Sequence, residues 1–312
     1  MKRCLLVPSN NGYGHLRRLL SVANALKQCG IEPHLNIAVG DTQKRNIASD
    51  YEVTLVDYAF PSYLDGPFSK QQDVRGKTRL DPHIYDAVVT DNLIELGQVH
   101  PNSILIAQFT WREYFERKQS KSSPKIVSDY SVIDFLSKFR RLFGMKHFAW
   151  GVMKVQTNYV SVPLLDYWGL SQKRNLRTLP EILLMKSGIN SPIIENLYKD
   201  FNKKVRIIRE VQQLDFIPKG VICRPGLSTL LEILSLGVRP ILVREPFDPE
   251  MIFNEGVVLN QKWGIALKCD LPRIELSTDL ALARELDQTV EVPVEELITS
   301  VDFVNQYLYP II

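Results

Sequence analysis

The chain has 312 residues, 45% hydrophobic and 23% charged, which is long enough for two α/β domains with separate cores. A net charge of +3, without a finger, knuckle or basic-aromatic motif, argues against a dedicated nucleic-acid binder. Cys4, Cys29, Cys223 and Cys269 are dispersed, which argues against a disulfide framework or zinc site, and no apolar run approaches the roughly 18 residues a membrane span needs.

Residues 4–7 predict a first buried strand, too short to be a signal peptide, so the expected location is the cytoplasm. Residues 8–14 form a small-residue loop, and Leu16, Leu19, Leu20, Ala23 and Leu26 follow at helical spacing until Gly30. Strand, glycine loop and helix in this order open a Rossmann-like unit. The pair Gly12-x-Gly14 lacks the third glycine of a dinucleotide fingerprint, position 17 being Arg, which argues against NAD. His15 stands at the loop-to-helix junction, either as an ordinary surface or capping residue or as a base. Further strands are expected at 34–39, 53–58, 87–90 and 104–109, alternating with helices as in a parallel sheet. Asp91 directly follows one of them, at a carboxyl end where open α/β sheets bind ligands. It can orient His15 or cap a helix beginning near residue 92.

Residues 61–82 combine glycine, proline and basic residues without periodicity and are expected to form a mobile loop. Over 131–147, Val132, Phe135, Leu136, Phe139, Leu142 and Phe143 predict one amphipathic helix with Lys138, Arg140, Arg141 and Lys146 interleaved. Such a helix ordinarily packs on its own domain, and the alternative is an anionic membrane surface. A strand at 159–163 closes a first domain of residues 1–170, the polar run 171–177 is the expected linker, and 178–312 form the second domain. Strands 182–185 and 205–208 and helix 192–201 lead to residues 220–254, and strand 265–268 and helices 278–286 and 294–307 follow.

The stretch 220–254 is the most informative. A β-branched run at 221–223 is broken by Arg224-Pro225-Gly226, a helix resumes with Leu227, Leu230, Leu231 and Leu234, and Gly237 stops it before a strand at 240–243. Helix-start amides lack intrahelical partners and carry partial positive charge. With Gly226, Ser228 and Thr229 at that start, the turn suits a diphosphate. Glu232, one turn after Ser228, could accept hydrogen bonds from ribose hydroxyls. The plain alternative is a capped helix with Glu232 as a solvated charge.

The string Gly226-x-Ser228-Thr229-x-x-Glu232, then Gly237-x-x-Pro240, then Pro246-Phe247-Asp248 leading to Asn254, resembles the donor half of GT-B glycosyltransferases. It is most similar to the family of the lipid-linked peptidoglycan N-acetylglucosaminyltransferase and its nucleotide-sugar hydrolase relatives. The string Gly12-Tyr13-Gly14-His15-Leu16-Arg17-Arg18 resembles the Gly-x-Gly-His-x-x-Arg opening of the hydrolase branch and the Gly-Gly-His loop of the transferases. The resemblance implies an α/β GT-B fold of two Rossmann-like domains with parallel sheets facing a cleft, the last helix returning onto the first domain. It implies sugar transfer from a UDP-linked donor to an acceptor hydroxyl, with His15 as base, Asp91 as its partner and inversion at the sugar. Arg224, Gly226, Ser228, Thr229 and Glu232 would hold the nucleotide. The family's sugar-binding Gln is missing: Glu250 and Met251 stand near its place, leaving Asp248, Glu250 and Asn254 for the sugar. Many relatives act on lipid-linked acceptors, which would bring the protein to the inner face of a membrane. There is no Asp-x-Asp motif, and neither metal nor cofactor is expected. Hydrolysis of a nucleotide sugar by water, or binding of one without turnover, are the alternatives.

Overall fold

The computed structural model describes residues 1–9, 13–59, 78–79, 81–118, 132–185, 206–245, 247–267 and 285–312. Two compact units emerge: unit 1 comprises Met1–Pro163 with Ser300–Ile312, and unit 2 comprises Leu164–Thr299.

In unit 1 the chain runs β1 (Arg3–Pro8), α1 (Gly14–Gln28), β2 (Glu32–Asn36), α2 (Thr42–Ala48), β3 (Thr54–Val56), β4 (Tyr58–Ala59), β5 (Thr78–Arg79) and β6 (Ala87–Asp91). It continues through β7 (Ser103–Ile106), α3 (Trp111–Lys118), α4 (Val132–Ser137), β8 (Arg141–Met145), α5 (Gly151–Lys154) and β9 (Tyr159–Val162). Seven strands form one parallel sheet in the order β3-β2-β1-β6-β7-β8-β9, so the winding reverses between β1 and β6. Leu5 and Val7 of β1 pack with Tyr85, Val88 and Leu96 on one side of this centre. Cys4 is wholly buried there, and burial pushes its thiol up, so it serves as a small core side chain.

Residues 131–147 do not form the expected single helix. Helix α4 ends at Ser137, and the chain turns so that the Arg140 amide donates to the Ser103 carbonyl before β8 enters the sheet between β7 and β9. Apolar positions 142 and 143 suit a helical stripe and a buried strand equally well. What decides is that Leu142, Phe143 and Met145 are all buried, as in a strand covered on both faces. Gly144 supports the strand: a Cβ there would lie 2.7 Å from that of Ala149 and 2.8 Å from the Tyr159 ring. Lys138, Arg140 and Arg141 are exposed but share no helix, so the basic amphipathic surface proposed for a membrane loses its basis.

In unit 2 the strands are β10 (Leu164–Asp166), β11 (Thr178–Met185), β12 (Arg206–Ile208), β13 (Ile217–Cys223), β14 (Arg239–Leu242), β15 (Ile265–Ala266) and β16 (Leu297–Thr299). Helix α6 (Leu227–Ser235) follows β13, and α7 (Pro249–Asn260) follows β14. Five strands form a parallel sheet ordered β12-β11-β13-β14-β15, with its own reversal between β11 and β13. Cys223, at the end of β13, is another wholly buried thiol pushed up by burial.

Two expectations change here. The stretch taken for a linker is a 3-10 turn, Leu170–Asn175, inside unit 2. Asp166 accepts from the amides of Leu170 and Ser171 at its start, and Arg174 donates to the carbonyls of Leu234, Ser235 and Val292. The segment 294–307 is not one helix either, because Leu297–Thr299 pairs in parallel with β10 as β16. Only then does α8 (Ser300–Phe303) begin, running into the π-turn Val304–Leu308 of unit 1, where Phe303 packs edge-on against Phe143. The expected loop 61–82 lies mostly outside the described residues, as do helix 192–201 and most of 278–286.

Candidate active site

The two glycine stops are built alike. After α1, Gly30 takes φ +77°, its amide bonding to the Lys27 carbonyl and that of Ile31 to Leu26. After α6, Gly237 takes φ +78°, with its amide on Leu234 and that of Val238 on Ile233. Both are Schellman caps, which require a left-handed residue and satisfy the orphan carbonyls. They fix where each helix ends and so the path of the strand that follows.

The start of α1 carries the first site. His15 is the second residue of that helix, directly beyond β1, and Asp91 is the last residue of β6, paired in register with Pro8. This is the reversal point of the sheet, where doubly wound folds bind ligands. His15 Nδ1 lies 2.8 Å from Asp91 Oδ1, while Asp91 Oδ2 accepts from Arg18 Nε. Asp91 is completely buried, and His15 retains 14% side-chain exposure. Burial alone would raise the Asp91 carboxyl, but the Arg18 guanidinium and then His15 outweigh it, leaving it below the usual carboxylate value. An ionised Asp91 can only accept, so Nδ1 carries the proton and Nε2 keeps its lone pair. The constellation is a base oriented by a buried carboxylate and charge-balanced by an arginine. Arg18 was visible in sequence as the Arg of the glycine-His string, one helical turn beyond His15, although no role was read from it. Gly14 is the first residue of α1, and Gly12 lies outside the described residues.

A pH dependence follows. The folded carboxyl of Asp91 is depressed, so its stabilising contribution is complete above the unfolded value of about 3.9 and is lost as pH falls through the lower folded value. Wild type should lose stability on acidification below about pH 4 more steeply than Asp91→Asn. Denaturant melts of both proteins at several acid pH values check this, and parallel curves would show that Asp91 does not carry the linkage.

In unit 2, Gly226 is the N-cap of α6 with extended backbone (φ −70°, ψ 136°), and no side chain caps the helix. A Cβ on Gly226 would meet nothing within 4 Å, so no protein atom fills the space beside it. Ser228 and Thr229 are half-buried in the first turn. Glu232 is 1% exposed, which removes the reading of a solvated charge. The other candidates are engaged by their surroundings. Arg224 is buried, with Nη2 3.2 Å from Glu245 Oε1. Asp248 caps α7, accepting from the Met251 amide at 3.1 Å. Glu250 Oε1 lies 3.5 Å from the Leu227 amide at the start of α6. Asn254 is fully buried and donates to the Pro225 carbonyl at 2.8 Å, so it holds the β13–α6 turn. Arg174, read only as part of a polar linker, binds the closing carbonyls of α6, where a cation complements the helix dipole. Its side chain also lies 3.3 Å from where a Cβ on Gly237 would stand.

Among the described residues no group of three or more His, Cys, Asp or Glu could hold a metal, and no helix is long and apolar enough to cross a membrane.

Solved structures share this architecture across nearly the whole chain, and it is the GT-B glycosyltransferase fold. The spinosyn forosaminyltransferase SpnP superposes with a TM-score of 0.58 at 15% identity, covering 99% of each chain. MurG of Acinetobacter baumannii gives 0.54 at 14% identity, over 95% of this chain and 94% of its own. LpCGTa, solved in complex with UDP, gives 0.56 at 12% identity, over 92% of this chain and 91% of its own. No family model and no curated protein matches the sequence.

Proposed function

We propose that the protein is a metal-independent, inverting glycosyltransferase that moves a sugar from a UDP-linked donor to an acceptor hydroxyl. The observation that carries the reading is the His15–Asp91–Arg18 constellation at the sheet reversal of unit 1. His15 Nε2 removes the acceptor proton, and Asp91 stabilises the imidazolium that forms. The amides that open α6, with Ser228 and Thr229, receive the negative charge that develops on the departing diphosphate. Glu232 accepts from the ribose hydroxyls. Asp248 and Glu250, at the start of α7, stand nearest the donor's sugar, while Asn254 supports them through Pro225. A second reading is hydrolysis, with water as nucleophile. It is favoured by Arg18, the Arg of the hydrolase-branch string, being one of the two groups that bind Asp91.

Calorimetric titration with UDP, ADP and GDP, followed by UDP-release assays on a panel of UDP-sugars with and without acceptors, tests the reading. Tight UDP binding with turnover supports it, binding without turnover leaves a nucleotide-sugar-binding protein, and no binding removes it. Glu232→Ala is expected to weaken UDP binding by about 1.5–3 kcal/mol, the range for hydrogen bonds to a charged group. Unchanged affinity in a variant that melts like wild type would show that Glu232 does not contact the ribose.

A further inference from the structure

Three adjacent strands of unit 1 end in buried polar residues: Ser9 after β1, Asp91 and Asn92 at the end of β6, and Gln108 and Thr110 after β7. Asp91 is bound by His15 and Arg18, and the Thr110 hydroxyl donates to Glu113 Oε2 at 3.3 Å. Asn92 differs. It is 2% exposed, its amide N–H donates to the Ile106 carbonyl, and its side-chain Oδ1 is enclosed without a hydrogen-bond partner. Leaving a buried carbonyl unmatched costs about 1–3 kcal/mol, so such groups are rare unless a donor arrives from elsewhere. The unmatched oxygen belongs to the residue next to the carboxylate that orients His15.

A neutral amide carbonyl accepts an O–H without competing for its proton, which distinguishes it from a second base. We infer that Asn92 Oδ1 accepts a hydrogen bond from a second O–H of the nucleophile, an inference that rests on the glycosyl-transfer reading above. One hydrogen, on the attacking oxygen, goes to His15 Nε2. That oxygen bonds to the anomeric carbon as the bond to the diphosphate oxygen breaks with its electron pair. The other hydrogen, borne by water or by a hydroxyl vicinal to the attacking one on a sugar acceptor, binds Asn92. A nucleophile with a single O–H makes no such bond.

Asn92 adopts a left-handed backbone (φ +64°), a region that Asn tolerates better than most residues, so backbone geometry alone is the competing explanation. Asn92→Gly separates the two, because glycine keeps the backbone and removes only the amide. The assay is UDP release from UDP-N-acetylglucosamine and UDP-glucose, with water alone, with a methyl glycoside bearing vicinal hydroxyls, and with ethanol as nucleophile. Asn92→Gly is expected to melt like wild type and to keep its donor KM. Its kcat should fall about tenfold with water or the diol, whichever the enzyme uses, and change little with ethanol. Equal rates for variant and wild type, or the same loss with all three nucleophiles, would overturn the assignment and leave the glycosyl-transfer reading standing. Failure of wild type to release UDP from any sugar donor would remove that reading and this inference together.

Discussion

His15→Ala is expected to lower turnover by about 10²–10⁴-fold, the usual contribution of a positioned general base. The loss should fall on kcat, with UDP affinity within about twofold of wild type, because the proposed nucleotide contacts all belong to unit 2 and His15 to unit 1. The geometry supports an effect of this size. Asp91 is fully buried and accepts from both Arg18 and His15, which fixes the imidazole's tautomer before any ligand arrives. Asp91→Asn should reproduce part of the defect, since an amide in that place can donate to Nδ1 and favour the wrong tautomer. Initial rates of UDP release, with calorimetric UDP binding on the same preparations, check both variants. Turnover at the wild-type rate in His15→Ala would move the base elsewhere and leave the glycine-His loop as a structural turn.

What was legible in the sequence was whatever a single local constraint controls. Gly30 and Gly237 announced helix ends because a Schellman cap requires a left-handed residue. The runs that became β1, β6 and β13 were short, apolar and bounded by breakers, as strands buried on both faces must be. His15 and Asp91 could be paired in advance because both stand at strand or loop ends of a Rossmann-like unit. Less legible was anything set by distant partners. Arg174 looked like a linker charge because its three carbonyl acceptors lie on α6 and near residue 292, about 60 and 118 residues away. Asn254 read as a ligand contact, yet its amide is used on Pro225. Glu232 gave no local sign of burial, which comes from packing around α6 rather than from its neighbours in sequence. Asn92 gave no sign at all, since an unmatched oxygen exists only once the surrounding strands are in place.

Phe139→Ala is expected to destabilise the protein by about 3–5 kcal/mol, the range for truncating a buried aromatic. The ring is 3% exposed and belongs to a core built from α4, β7, β8 and α5, with Leu136, Leu105, Leu142 and Met153 among its members. Collapse around the missing ring is opposed on several sides. Two neighbours, Leu105 and Leu142, belong to adjacent strands of the central sheet, and the backbone at 139 is held by the Asn158 amide, which donates to its carbonyl at 2.7 Å. Gly97 approaches so closely that a Cβ there would lie 2.9 Å from the ring, so the contact surface on that side is backbone rather than a side chain able to swing inward. A cavity that cannot close puts the cost in the upper part of the range. For a unit of this size the melting temperature should fall by roughly 6–20 °C. Thermal and urea melts measure it directly, and sedimentation with anionic liposomes tests the membrane alternative on the same two proteins. Were Phe139→Ala to melt like wild type yet fail to sediment with liposomes that wild type binds, the ring would be a membrane contact and its place in this core would be wrong.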